Sequence, residues 1–304
     1  MADMTALRAH RRGGPEVLVV ERAPIPVPAA GEVLVEVHAA AITFDELTWD
    51  ETWQRNGADR TPTIPSHEVS GVVVGTTDEV YGLIPFDRDG AAAEYVAVPS
   101  SCLATRPATC SHLAAAALPL AGLTAWQALV EHADVQPGER VLVHGGAGGV
   151  GGLVIQLAAR MGADVTTTVR SDVTGLMREL GATTVIDTRA DAFDAPGAVY
   201  DVVVDTVGGQ TMERSFGVLR PGGRLVTLAA PPPPGKAEEF DVDATFFIVT
   251  PDRAQLAELA ALVDAGGMQI AIAETFPLRD GRAAFESGAR PHRRPGKTVL
   301  IVRD

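Results

Sequence analysis

A glycine-rich segment limits the fold of this chain more than any other feature. Residues 141–151 read Val-Leu-Val-His-Gly-Gly-Ala-Gly-Gly-Val-Gly, in which Gly146, Gly148 and Gly151 match the pattern G-x-G-x-x-G. The pattern follows a short apolar run, typical of a buried strand, and precedes apolar residues at helical spacing over 150–160. In this context glycines let backbone N–H groups approach a pyrophosphate, and the helix N terminus adds partial positive charge. The segment therefore predicts a dinucleotide-binding site at Gly146, Gly148, Gly149, Val150 and Gly151.

The residues after this segment alternate between predicted strands and predicted helices. Strands are expected at residues 165–169, 184–187, 202–205 and 224–229. Such alternation is typical of a doubly wound parallel sheet with right-handed crossovers. The first hundred residues instead contain short strands punctuated by glycine and proline, which indicates a compact β-rich domain. The predicted fold class is therefore α/β, with a β-rich domain beside a parallel-sheet domain.

Charge and cysteine content exclude several classes of partner. The chain has 304 residues, a formal net charge of −14 and two cysteines. Its negative field repels phosphate backbones and anionic membranes, so we expect neither nucleic acid nor membrane as a partner. Two cysteines are too few for a disulfide scaffold or a four-cysteine zinc site. No signal peptide or membrane span is visible, and we expect a cytoplasmic protein.

The end of the second predicted strand favours NADPH over NADH. NAD-binding sites usually carry Asp or Glu there, which holds the ribose 2′-hydroxyl. Here the strand ends in Arg170 and Ser171, and Arg170 could pair with the 2′-phosphate of NADPH. Asp172 could weaken that contact, and an exposed loop arginine is the alternative interpretation.

Several stretches, in order along nearly the whole chain, resemble the medium-chain dehydrogenases/reductases and, among them, the zeta-crystallin-like quinone oxidoreductases. Besides the glycine segment they are residues 64–71 (Ile-Pro-Ser-His-Glu-Val-Ser-Gly), 78–82, 92–96, 116–129, 180–187, 205–209 and 296–300. The resemblance implies a homodimer and three parts of the chain. These are a GroES-like catalytic domain (1–119), a Rossmann NADP-binding domain (120–266) and a C-terminal return to the catalytic domain (267–304). Relatives usually carry a longer loop at residues 75–77, so we expect a more open entrance here.

A catalytic zinc ion is not expected, although His67 and Glu68 resemble the His-Glu pair of zinc alcohol dehydrogenases. Such a zinc needs three protein ligands. Ile42 and Leu120 stand where zinc relatives carry cysteines, and aliphatic side chains cannot bind a metal. We therefore interpret His67 as a cleft or turn histidine held by hydrogen bonds.

The resemblance also implies candidate site residues between the two domains. Phe44, Asp45 and Thr124 are the catalytic candidates, and Phe44, Trp49 and Trp53 are candidate walls for a flat acceptor. Ordinary packing is the alternative for both tryptophans. The cofactor candidates outside the glycine segment are Thr124, Arg170, Ser171, Thr206, Val207, Phe246 and Phe247.

Chemistry without a metal favours acceptors that need little electrophilic help. A quinone or an α,β-unsaturated carbonyl accepts hydride on carbon, and hydrogen-bond donors stabilise the charge that moves to oxygen. We expect an NADPH-dependent reductase of such small molecules. The alternatives are an enoyl reductase of secondary metabolism and a non-catalytic NADPH-binding redox sensor.

Overall fold

The computed structural model describes residues 3–290 and 293–303. The chain forms two compact units, one from Met1–Leu123 with Thr250–Asp304 and the other from Thr124–Val249. Residues 250–266, which the sequence suggested for the nucleotide domain, group with the first unit.

Strands and helices are numbered in chain order. The strands are β1 (Asp3–Ala9), β2 (Leu18–Pro24), β3 (Glu32–Ile42), β4 (Gln54–Arg55), β5 (Ala58–Asp59), β6 (Glu68–Val73), β7 (Glu79–Leu83), β8 (Tyr95–Pro99), β9 (Leu103–Thr105), β10 (Arg140–His144), β11 (Asp164–Val169), β12 (Thr184–Asp187), β13 (Tyr200–Asp205), β14 (Leu219–Thr227), β15 (Asp243–Phe246), β16 (Ile272–Pro277) and β17 (Lys297–Ile301). The helices are α1 (Asp50–Trp53), α2 (His112–Ala116), α3 (Pro119–Trp126), α4 (Gly151–Arg160), α5 (Thr174–Glu179), α6 (Gly209–Ser215), α7 (Lys236–Glu239), α8 (Arg253–Asp264) and α9 (Gly281–Glu286).

The unit from Thr124 to Val249 contains a parallel sheet in the order β12-β11-β10-β13-β14-β15. Counted from β10, this is the order 3-2-1-4-5-6 of the Rossmann fold. Val141, Leu142 and Val143 of β10 are all fully buried, as expected for a central strand covered on both faces. The predicted doubly wound parallel sheet is confirmed. Its topological switch point, where the strand order changes direction, lies between β10 and β13.

The other unit is built around the long strand β3. Along one edge β3 pairs with β6, and along the other with β8 near its start and β17 near its end. A register shift between Val37 and Ala39 accompanies this change of partner. The apolar and β-branched residues at 297–302 predict a strand, and β17 forms there and joins the β-rich sheet, with Thr298 opposite Ile42 and Ile301 opposite Ala39.

Some elements differ from the sequence prediction. The apolar residues over 120–132 predict a single helix, but the α-helix ends at Trp126 and the chain continues as a π-helix over Gln127–His132. Residues 221–223 (Pro-Gly-Gly) predict a turn but form a bulge within β14, since Tyr200 faces Leu219 while Val202 faces Arg224. The helices within the described ranges are too short or too polar to span a bilayer.

Candidate functional site

The glycine segment forms a tight loop between β10 and α4. An added Cβ at Gly146 would collide with the Thr167 hydroxyl of β11, and one at Gly151 would collide with the Gly145 carbonyl. The absent side chains therefore let the loop pack directly against the neighbouring strand and the first turn of the helix.

The outer part of the loop stays accessible. Gly148 is exposed, Gly149 and Val150 are half-buried, and the Gly148 N–H donates to the Gly145 carbonyl at 2.9 Å. These residues lead into the N terminus of the ten-residue helix α4. An exposed, side-chain-poor loop at a helix N terminus fits the pyrophosphate of a dinucleotide.

A second loop lies beside the first, because His144 at the end of β10 faces Asp205 at the end of β13. The buried Asp205 carboxylate accepts the N–H groups of Val207 and Gly208, each at 3.0 Å. The Thr206 hydroxyl donates to the His144 carbonyl at 2.8 Å. The two predicted cofactor residues Thr206 and Val207 therefore adjoin the glycine loop, and the Val207 side chain is 54% exposed.

Arg170 and Ser171 follow the end of β11. Arg170 is exposed and Ser171 is half-buried. Sequence reasoning missed Arg189, a second cation just after the adjacent strand β12, whose Nε lies 2.9 Å from Asp187 Oδ1. This guanidinium lowers the pKa of Asp187 to about 2 and keeps that carboxylate ionised. Both arginines at this edge of the sheet are exposed, and Arg189 is paired with Asp187.

The remaining cofactor candidates belong to other elements than the two loops. Phe246 ends β15, three strand positions and about 14 Å from β10. Phe247 packs on the His132 ring, with centroids 4.3 Å apart. Thr124, on α3, is 5% exposed. The strand order alone does not bring Phe246 and Phe247 to the pyrophosphate loop.

The acceptor candidates of the β-rich unit lie just after β3. Phe44 is half-buried, and the Arg293 guanidinium lies 4.2 Å from its ring centroid. Trp49 is half-buried and meets Phe86 edge-on at 5.0 Å between centroids, while the Asp45 side chain is exposed. Sequence reasoning missed Arg293 and Phe86, which are distant along the chain and carry no motif.

Trp53 occupies a different environment from Trp49. It is 3% exposed within the hydrophobic core, and its indole N–H donates to the Leu47 carbonyl at 3.0 Å. This position favours the packing alternative over a wall of the acceptor site.

A buried charged cluster lies next to these residues. Glu68 pairs with Lys297 and accepts the Leu120 N–H at 3.0 Å, and Lys297 also donates to the Thr43 hydroxyl at 3.1 Å. Burial raises the pKa of Glu46 to about 8, although Glu46 accepts the Ser66 N–H at 2.9 Å. Glu46 is therefore largely protonated at neutral pH.

His67 is also buried in this cluster. Burial and the positive charge of Arg60 lower the pKa of His67 to about 3, and the Pro85 carbonyl acts weakly in the opposite direction. Neither ring nitrogen makes a hydrogen bond of normal geometry. The expectation that hydrogen bonds hold this histidine is wrong: it packs as a neutral ring, edge-on to Phe86.

These donors do not fit a catalytic zinc ion. Ile42 is buried at the position of one zinc-ligating cysteine, and Leu120, at the position of another, donates its backbone N–H to Glu68. Across residues 3–290 and 293–303, no three His, Cys, Asp or Glu side chains are grouped to hold a metal. His67 is the one metal-binding side chain among the three positions, and a single imidazole is too few for such a site.

Two known protein families match separate parts of the chain. The family described as "Alcohol dehydrogenase GroES-like domain" matches residues 29–108, and "Zinc-binding dehydrogenase" matches residues 180–300. The second family is named for a metal, whereas Ile42 and Leu120 occupy two of the usual ligand positions here.

Curated relatives and a solved structure extend the match to almost the whole chain. The 2-methylene-furan-3-one reductase of Solanum lycopersicum is 32% identical and covers 98% of this chain and 79% of its own length. The NADPH-dependent alkenal/one oxidoreductase of Arabidopsis thaliana is also 32% identical, covering 90% and 72%. The quinone oxidoreductase of Coxiella burnetii is 30% identical, covers 99% and 100%, and superposes with a TM-score of 0.89. With its nicotinamide-binding sheet and GroES-like sheet, the chain belongs to the medium-chain dehydrogenase/reductase superfamily, where its relatives include quinone oxidoreductases and enone reductases.

Proposed function

We propose that this protein reduces small quinones or α,β-unsaturated carbonyl compounds with NADPH and without zinc. The observation that carries the proposal is the pairing of an intact dinucleotide loop with aliphatic residues at the positions of zinc ligands. The names of the relatives support the acceptor class.

In this proposal the residues of the Rossmann unit bind and orient the cofactor. The loop at Gly148 and the N terminus of α4 hold the pyrophosphate. Asp205 fixes the backbone of Val207 and Gly208 by accepting their N–H groups, and the exposed Val207 supplies an apolar contact for the nicotinamide ring. The bound cofactor supplies the hydride.

The choice of NADPH rests on Arg170. Its side chain is exposed at the end of β11, where the ribose of the adenosine half binds in Rossmann folds. No acidic residue ends this strand, so a 2′-phosphate meets a cation rather than a carboxylate.

The residues of the β-rich unit act on the acceptor. Phe44 and Trp49 offer aromatic surface, and Arg293 brings a guanidinium to the ring of Phe44. A nearby cation stabilises the negative charge that reaches the carbonyl oxygen when hydride adds to carbon, and solvent supplies the proton.

The experiment that tests the proposal is a turnover assay with chelator-treated protein. NADPH oxidation is followed with a panel of quinones and enones, and NADPH binding is measured on the same sample. We expect saturable oxidation with at least one acceptor class in protein that contains substoichiometric zinc. Tight NADPH binding without turnover by any acceptor would favour the redox-sensor alternative, and activity that returns only with added zinc would contradict the proposal.

The homodimer, the cytoplasmic location and the enoyl-reductase alternative stay predictions. Sedimentation of the purified protein tests the homodimer. An assay with thioester-linked enoyl substrates tests the enoyl-reductase alternative.

A further inference from the structure

His144 is the last residue of β10 and immediately precedes the glycine loop. It is fully buried, yet both ring nitrogens have partners: Nδ1 lies 3.0 Å from Thr168 Oγ1 of β11, and Nε2 lies 2.9 Å from Ser215 Oγ of α6. A buried imidazole with two partners on different elements joins those elements through one rigid ring.

The surrounding hydrogen bonds fix the direction of each of these contacts. Ser215 Oγ donates to the Thr211 carbonyl at 2.7 Å, so it accepts from His144 Nε2–H. Thr168 Oγ1 accepts the Gly145 N–H at 3.3 Å and is left to donate its own proton to Nδ1. The ring is therefore neutral with its proton on Nε2. Burial, partly offset by Asp205, lowers the pKa of His144 to about 4, which agrees with this tautomer at neutral pH.

The same residue contacts the loop after β13 through its backbone. The His144 carbonyl accepts from Thr206, and an added Cβ at Gly145 would lie 2.5 Å from the Thr206 hydroxyl oxygen. Thr168 also binds the glycine loop directly, because its carbonyl accepts the Gly146 N–H at 3.0 Å. Three parts of the nucleotide site therefore meet at one residue: the end of β11, the glycine loop and the Thr206 loop.

We propose that His144 is a positioning residue that holds the adenosine-binding and nicotinamide-binding parts of the site in register. Its ring touches neither cofactor nor acceptor in this role, and it acts through Thr168, Ser215 and Thr206. The inference rests on the proposed cofactor site and adds to it a residue that controls the geometry of both halves.

The adenosine half is tested with 2′,5′-ADP and the whole site with NADPH. In His144→Asn the shorter amide retains one contact near Thr168 and loses Ser215. We expect the Kd for NADPH and for 2′,5′-ADP to rise by about tenfold or more, with a fall in kcat. Thr168→Val removes the β11 contact and is expected to raise the Kd for 2′,5′-ADP as well.

Phe193→Leu is the matched control. Phe193 packs edge-on against the His144 ring, at 4.5 Å between centroids, in the same core. This variant should lower Tm while leaving both Kd values within about twofold of wild type.

The inference is overturned if folded His144→Asn binds both ligands as wild type does, or if Phe193→Leu weakens them equally. Should His144→Asn fail to fold, Thr168→Val and Ser215→Ala decide the question by the same two Kd values. Wild-type protein that binds neither NADPH nor NADH would instead contradict the proposed function, and this inference with it.

Discussion

At the scale of single residues, the glycine loop has a steric requirement that can be tested directly. The space for a side chain at Gly146 is taken by the Thr167 hydroxyl. Gly146→Ala should therefore shift the loop and weaken NADPH binding by about tenfold or more. Fluorescence titration of the variant with NADPH measures the change in Kd.

A second substitution distinguishes the collision from other effects of alanine. Thr167→Ala removes the colliding atom, so the double variant Gly146→Ala/Thr167→Ala should recover part of the affinity. Gly175→Ala is the control, because a Cβ there meets open space. Equal affinity in Gly146→Ala and wild type would show that the close approach is not required.

We expect Arg170 to decide the preference for NADPH over NADH. Arg170→Ala should raise the Kd for NADPH by about tenfold or more and leave that for NADH nearly unchanged, since only NADPH carries the 2′-phosphate. Arg279→Ala, which removes an exposed arginine of the β-rich unit, serves as the control. A similar loss for both coenzymes in Arg170→Ala would reject the assignment.

Glu46 predicts a pH dependence of stability. Its folded pKa of about 8 exceeds its ordinary value of 4.5, so the folded chain keeps a proton that the unfolded chain has lost. The stabilisation is full below about pH 4.5 and disappears as the pH rises through 8. The Tm of Glu46→Gln relative to wild type should therefore increase between pH 5 and pH 8.5, roughly the span of that window.

The exposed Glu51 gives the comparison for this experiment. Glu51→Gln should show no such trend, because that carboxylate is exposed. Parallel pH profiles for Glu46→Gln and wild type would mean that Glu46 is ionised in the folded protein.

At the scale of elements, the Glu68–Lys297 pair connects β6 to the C-terminal strand β17. Both side chains are nearly buried, and Lys297→Met leaves the Glu68 charge without its partner. We expect a loss of about 3–5 kcal/mol in the free energy of unfolding, measured by urea denaturation. Adding Glu68→Gln to that variant should recover part of the loss. If Lys297→Met alone lost less than about 1 kcal/mol, the pair would contribute no more than an exposed ion pair.

Regular, strongly patterned elements were predictable from the sequence, and context-dependent ones were not. The strand at Thr184–Asp187 and the helix at Arg253–Asp264 carry their own periodicity and termini. Strand β1 was missed because Ala, Leu, Met and Arg favour helices, and Asp3–Ala9 becomes a strand through tertiary pairing, chiefly with β2.

The site shows the same division. The glycine loop and the position of Arg170 could be predicted, because local spacing specifies them. The approach of Arg293 to Phe44 and the burial of Trp53 could not, since both depend on the packing of residues far apart in sequence. The hydrogen bonds of His144, at the end of β10, likewise connect β11, the loop after β13 and helix α6, which only folding brings together.

At the scale of the whole molecule, the chain combines a Rossmann sheet for the cofactor with a β-rich unit that carries His67 at one zinc-ligand position and aliphatic Ile42 and Leu120 at two others. In the proposed reaction, hydride passes from a bound nicotinamide to an activated acceptor in this protein without zinc.

Deuterium transfer tests this claim most directly. Chelator-treated protein, with zinc measured on the same sample, is incubated with an enone and with NADPH that carries deuterium on one face of C4. Each of the two faces is labelled in turn, and the product is analysed by NMR. We predict that deuterium from one of the two C4 faces appears at the β-carbon of the product. Reduction without label from either face, or label transfer that requires added zinc, would contradict it.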